Sequence, residues 1–169
     1  MDNQPLLAPA LEANQPIPVR NKVATRPWQH VLEPLSGYLW LAARLAQSST
    51  PNPQLASAFN FGPGHESNRS VEALVTEVLK HWPGRWEDKS NPNAVHEARL
   101  LQLSTDKAHA LLGWAPVWQF PAAIEHTITW YREAASRGAT AAAVETVRAL
   151  ATRQIRQYQS DAADAGLAW

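Results

Sequence analysis

The 169-residue chain contains no cysteine, which excludes disulfides and thiolate metal sites and fits a reducing compartment such as the cytosol. It has no charge of one sign to spare, with 15 basic against 15 acidic residues. A nucleic-acid footprint is therefore unsupported, and without a polybasic cluster so is an anionic membrane surface. No apolar run approaches the roughly 20 residues that cross a bilayer. Met1–Ala13 holds Asp2, Pro5, Pro9 and Glu12 in place of the basic start and apolar stretch of a signal peptide. The expectation is a soluble, cytoplasmic protein of one domain.

Chemical signatures are also scarce. No G-x-S-x-G turn occurs, so nucleophilic acyl transfer has no anchor. His65-Glu66 and His96-Glu97 lack the second histidine of a zinc-hydrolase helix, and the six histidines are scattered, so no metal is expected. No glycine-rich turn joins a strand to a helix. "FGPG" at 61–64 places Pro63 where an anion-binding nest needs an N–H.

What is present is eight tryptophans, thirteen prolines and a regular succession of short elements. "PIPVRN" (16–21) reads as a short extended segment and "LASAFNF" (55–61) as a buried strand ending at the Gly62–Gly64 turn. Pro34 opens a helix whose apolar residues Leu35, Tyr38, Leu39, Ala42 and Leu45 recur at helical spacing. Ser70 caps a second helix, which Pro83-Gly84 stops. Residues 85–93 read as a short strand and a loop, and 96–103 as extended. Ser104 is the expected cap of a helix ending at Gly113, and Pro121 starts another ending at Gly138. A last helix over 139–158 carries Val144, Val147, Ala151, Ile155 and Tyr158 as its stripe.

The run "RPWQHVLEPLSGYLWLAARL" (26–45), then "FNFGP" (59–63), "HEARLLQLSTDKAHALLGWAPVW" (96–118), "TITWY" (127–131) and "RQIRQY" (153–158), resembles one family in order and wording. It is similar to the C-terminal part of CDP-glucose 4,6-dehydratases, which are extended short-chain dehydrogenases/reductases. The resemblance implies an α-rich α/β fold, the substrate-binding portion of such an enzyme, lacking its N-terminal Rossmann domain. It divides the chain into a nucleotide-sugar-binding portion, 1–138, and a C-terminal helix and tail, 139–169. Full-length relatives use NAD to convert CDP-glucose to CDP-4-dehydro-6-deoxyglucose, for cell-surface polysaccharides such as lipopolysaccharide.

The family's glycine-rich NAD turn and Tyr-x-x-x-Lys pair are not in this sequence. Tyr38, Tyr131 and Tyr158 are followed four residues later by Ala42, Ala135 and Ala162. The resemblance thus implies no catalytic residue and no cofactor in this chain. Its partners would be a nucleotide sugar, CDP-glucose, and a separate chain carrying the Rossmann half, whose sheet the strand at 55–61 would join.

The same resemblance places Arg26 at the diphosphate, where a guanidinium is a permanently charged, bidentate donor. An ion pair to Glu33 is the structural alternative. Arg20 and Asn21 stand where relatives approach the base and ribose, or form an ordinary polar strand end. Lys22 replaces the proline that follows them in the family pattern. His96, Glu97 and Arg99 occupy a segment that gives relatives a second contact to the nucleotide, or else form a solvated strand. Gln29 and His30 are expected to hold the Arg26 loop, and Trp28, Trp114 and Trp118 to be core.

Overall fold

A computed structural model describes residues 7–47, 52–91, 101–136 and 141–167. The architecture is mixed α/β and rich in helix, as expected. Helix α1 (Leu7–Glu12) leads through a turn, with Asn14 at φ 52°, into strand β1 (Ile17–Val19). Strand β2 (Thr25–Pro27) follows, and then helix α2 (Leu32–Gln47). A single 3-10 turn (His65–Ser67) precedes β3 (Asn68–Ser70), α3 (Val71–His81) and β4 (Trp86–Asp88). Helices α4 (Asp106–Leu112), α5 (Phe120–Ala135) and α6 (Ala141–Asp164) complete the order.

The strands form two small ladders. β1 lies parallel to β4, pairing Ile17 with Trp86 and Val19 with Asp88. β2 lies antiparallel to β3, pairing Thr25 with Ser70, Arg26 with Arg69 and Pro27 with Asn68. Ile17 and Val19 point into a core shared with Leu74, Val75 and Val78 of α3 and Phe120, Ile124 and Ile128 of α5. The i, i+4 and i+8 spacing along α5 is what lets one helical face fill that space. A second cluster gathers Leu55, Phe61, Ala108, Leu112 and Trp114.

Several local rules decide the boundaries. Ser70 is the N-cap of α3, accepting from the Ala73 amide at 3.1 Å. Gly113, at φ 63°, ends α4 in the left-handed conformation that suits glycine. Ser104 does not cap α4: Thr105 holds that position, and the Ser104 hydroxyl donates to the Asp106 carboxylate at 3.1 Å. α2 begins at Leu32, two residues before Pro34, because proline is tolerated anywhere in a first turn that lacks intrahelical donors.

Three sequence expectations change. The strand expected over 55–61 is absent among the described residues: 53–57 form a turn and bend, and 58–61 join no ladder. Side chains meet their carbonyls instead: Lys107 Nζ donates to Ala58 at 2.9 Å and Gln29 Nε2 to Phe61 at 3.2 Å. α2 turns Glu33 and Gly37 inward and leaves its apolar stripe of Leu35, Tyr38, Leu39 and Leu45 exposed. α6 buries Ala143, Leu150, Gln154, Tyr158 and Ala162, while Val144 and Ile155 face solvent. The polar Gln154 wins an inner position because its amide donates to the His126 carbonyl at 2.7 Å.

Gly37 is where α2 meets the second cluster. A Cβ there would overlap the Phe61 ring. That ring is already held edge-on to Trp114 at 5.1 Å and Tyr38 at 5.5 Å. Gly37→Ala is therefore expected to lower the urea midpoint. Overpacking of roughly 1–3 kcal/mol outweighs the helix propensity of about 1 kcal/mol that alanine supplies. An unchanged or raised midpoint would show that Phe61 moves aside without cost.

Candidate functional site

Arg26 occupies the middle of β2, a three-residue strand that Pro27 ends on its C-terminal side. One edge of its guanidinium donates to the Thr25 carbonyl at 2.8 Å. Directly across the ladder stands Arg69. Side chains at facing positions share one side of a sheet, with Cβ atoms about 5 Å apart, and like charges so placed repel. An anion lying between two such cations removes the repulsion, and a diphosphate offers the planar oxygen pairs that guanidinium groups recognise.

The ladder is fixed from both sides. The Trp28 indole N–H donates to the Arg69 carbonyl at 2.9 Å, tying the strand after Arg26 to the strand opposite. Ser67, fully buried, donates from its hydroxyl to the Gln119 side chain at 3.3 Å. Trp28 is thus partly a strut as well as core, whereas Trp114 and Trp118 are fully core.

Behind Arg26 the chain turns into α2 through Gln29 and His30. Gln29 donates to Phe61, and His30 Nδ1 accepts from the Leu32 amide at 3.3 Å. His30 is buried edge-on against Trp118, with ring centroids 4.9 Å apart. Its imidazole is pushed down to about 4, by burial first and by neighbouring His126 second. His126 stacks on Trp118 itself, with ring centroids 3.9 Å apart, and is also pushed down, chiefly by burial.

The centre of this support is Glu33, whose exposure is 0%. Its Oε1 accepts from the Trp118 amide at 2.7 Å; Oε2 accepts from the Val117 amide at 3.0 Å and the Tyr158 hydroxyl at 2.7 Å. Glu33 is therefore not the counter-ion of Arg26. Burial raises its carboxyl, and the bonds from Trp118, Tyr158 and Val117 pull it back. Tyr158 is raised by its own burial. The Trp118 indole N–H donates to Asp161 at 2.7 Å, adding a second tie to α6.

The remaining sequence candidates fall in different places. Arg20 is exposed directly after β1. Asn21 accepts from the Ala24 amide at 3.2 Å, so its side-chain oxygen closes the turn between β1 and β2. Lys22, the departure from the family pattern, pairs with Asp88 beside β4 at 2.8 Å. Each raises or lowers the other's ionisation in the usual sense of a salt bridge. His96, Glu97 and Arg99 lie outside the described residues. Arg69, which faces Arg26, and Glu33, which ties α2 to Val117, Trp118 and Tyr158, are positions the sequence did not single out in these roles. "NRS" before a helix cap was the signal for Arg69, once β2 and β3 are known to pair.

Two surface hollows lie away from Arg26. One of about 570 Å³ follows α6 past Arg148, Arg153 and Arg156, and one of about 360 Å³ lies between Pro63–His65 and Gln102–Asp106. The helices α3, α4 and α5 start at Ser70, Thr105 and Gln119, so none of them opens on a glycine-rich phosphate turn. These residues do not fit a dinucleotide cradle. No helix of the described residues is long and apolar enough to cross a membrane.

No protein-family model matches the chain. Over 127 residues, 73% of its length, the chain is 37% identical to a CDP-glucose 4,6-dehydratase of Salmonella typhimurium. The match falls in the C-terminal part of that enzyme and spans 34% of its length, about a third.

Proposed function

Because the chain is related to the C-terminal part of CDP-glucose 4,6-dehydratase, we propose that it forms the nucleotide-sugar-binding portion of such an enzyme. The observation that carries this reading is the register that puts Arg26 opposite Arg69 across one ladder. Arg26 binds the diphosphate of CDP-glucose, and Arg69 approaches it from β3. Arg20 and Asn21, at the turn after β1, approach the ribose and base, with Asn21 contributing what its turn bond leaves over. His96, Glu97 and Arg99 belong to the same nucleotide surface.

The chain binds and orients the nucleotide sugar; it performs no oxidation or dehydration by itself. NAD belongs to the part of the enzyme that the match does not cover, and that part is the proposed partner of this portion. Purified alone, the protein is expected to give no NAD-dependent product from CDP-glucose. A cytoplasmic location and a role in surface polysaccharide synthesis accompany this reading.

Calorimetric titration with CDP-glucose and with CDP tests it. Arg26→Ala is expected to weaken both about ten- to a hundredfold, the equivalent of one charge-assisted hydrogen bond of roughly 1.5–3 kcal/mol. Equal binding by the variant would remove Arg26 from the site. Absence of binding by the unaltered protein would favour a remnant without a ligand.

A further inference from the structure

α6 turns its arginines away from the body of the protein. Leu150, Gln154 and Tyr158 are buried, whereas Arg148, Arg153 and Arg156 are exposed. The three arginines wall the hollow of about 570 Å³ that follows this helix. Its floor is Ala149 and Thr152, two short residues. At 3.6 residues per turn, Arg148 and Arg153 flank that floor around the axis and Arg156 closes its C-terminal end. Short residues between long ones make a helix face concave. The Thr152 hydroxyl is turned down onto the helix, donating to the Arg148 carbonyl at 2.9 Å.

These cations are poorly neutralised. Arg148 reaches Glu145 at 3.8 Å, between side chains that are 74 and 73% exposed. Solvent screens such a pair and leaves both ends loosely held. Arg153 and Arg156 pair with no acid among the described residues. They stand three residues apart, where side chains are neighbours and like charges repel. The next acid along α6 is Asp161, and the Trp118 indole and the Gln157 amide already occupy its two oxygens.

Size and charge select the occupant. From Arg148 to Arg156 the axis rises about 12 Å, so one compact multivalent anion over the floor reaches all three guanidinium groups. Their forked N–H donors match phosphate oxygens. A nucleic acid is held through more contacts, about 6–10 phosphates, and a polybasic membrane segment carries about 4–8 cations. No aromatic ring lines the hollow among the described residues, so a base has no platform to stack on. We propose that the α6 hollow binds a small polyphosphate of two or three phosphoryl groups, separately from the ladder of Arg26 and Arg69.

Calorimetric titration with tripolyphosphate at low ionic strength tests this, since salt screens an exposed site. The ladder also offers two guanidinium groups, so the titration is repeated on Arg26→Ala. One tripolyphosphate per chain is expected to bind there. Adding Arg153→Gln and Arg156→Gln is expected to weaken it at least tenfold, with no fall in melting temperature because both side chains are exposed. Ala149→Glu, which sets an anion on the floor, is expected to weaken it by a similar factor. Absence of binding by the unaltered chain overturns the proposal. So does loss of binding on Arg26→Ala alone, which would put the anion on the ladder, or indifference to the α6 substitutions. Tighter binding of a ten-residue polyglutamate or of a duplex RNA than of tripolyphosphate also overturns it, in favour of a macromolecular partner. The reading of Arg26 stands apart: tripolyphosphate binding without CDP-glucose binding sinks only the proposed nucleotide ligand.

Discussion

Glu33→Ala is expected to destabilise the chain by about 3 kcal/mol or more in urea unfolding, the largest effect of any single substitution considered. The change leaves the Trp118 and Val117 amides and the Tyr158 hydroxyl without their acceptor in a region with no exposure at Glu33 itself. Each buried unsatisfied donor costs about 1–3 kcal/mol. Part of that is offset, because alanine also removes a carboxylate that burial penalises. Glu33→Gln keeps one acceptor but turns an amide NH2 toward other donors, so its loss should fall between alanine and wild type. A loss below about 1 kcal/mol for alanine would mean that water replaces the carboxylate. The functional consequence follows from position: Glu33 fixes the start of α2, and hence the exit of the strand that carries Arg26. CDP-glucose affinity should fall along with stability.

The second large effect is one of pH. His30 is held neutral, with its imidazole at about 4 in the folded chain against 6.5 unfolded. Between those values the unfolded state binds a proton that the folded state refuses. Stability is therefore present above 6.5 and is lost as pH falls through the window. Two and a half pH units correspond to about 3 kcal/mol. His126, also pushed down by burial, adds loss of the same sign. Glu33 acts in the opposite sense. Its raised carboxyl takes up a proton more readily when folded, so its ionisation cost disappears at low pH. Comparing wild type with His30→Gln cancels the Glu33 contribution. The difference in unfolding free energy between pH 7 and pH 4 is expected to be about 3 kcal/mol smaller in the variant. Parallel profiles would show that His30 stays neutral in both states or charged in both.

The legible part of this fold was its punctuation. Ser70, Gly113, Pro83-Gly84 and Pro121 act through backbone geometry within a few residues, so local sequence carries them. What periodicity misjudged was direction. α2 has two competing faces, and the apolar one is the outer one, because Glu33 finds three donors and Gly37 admits the Phe61 ring. On α6 the same choice goes to Gln154, for one carbonyl on α5. Both decisions depend on partners far along the chain, which no window of eleven residues contains. Arg26 was singled out by the resemblance of the block around it. Arg69 was not, because its place opposite Arg26 comes from the register of β2 on β3.

The Glu33–Tyr158 bond joins residues 125 positions apart. During synthesis at about 5–20 residues per second, Glu33 therefore leaves the ribosome roughly 6–25 s before Tyr158 does. For that interval Glu33 is an ordinary solvated carboxylate, and the ladder beside it lacks its brace. The helix that carries Tyr158 thus closes the support of a strand made well over a hundred residues before it.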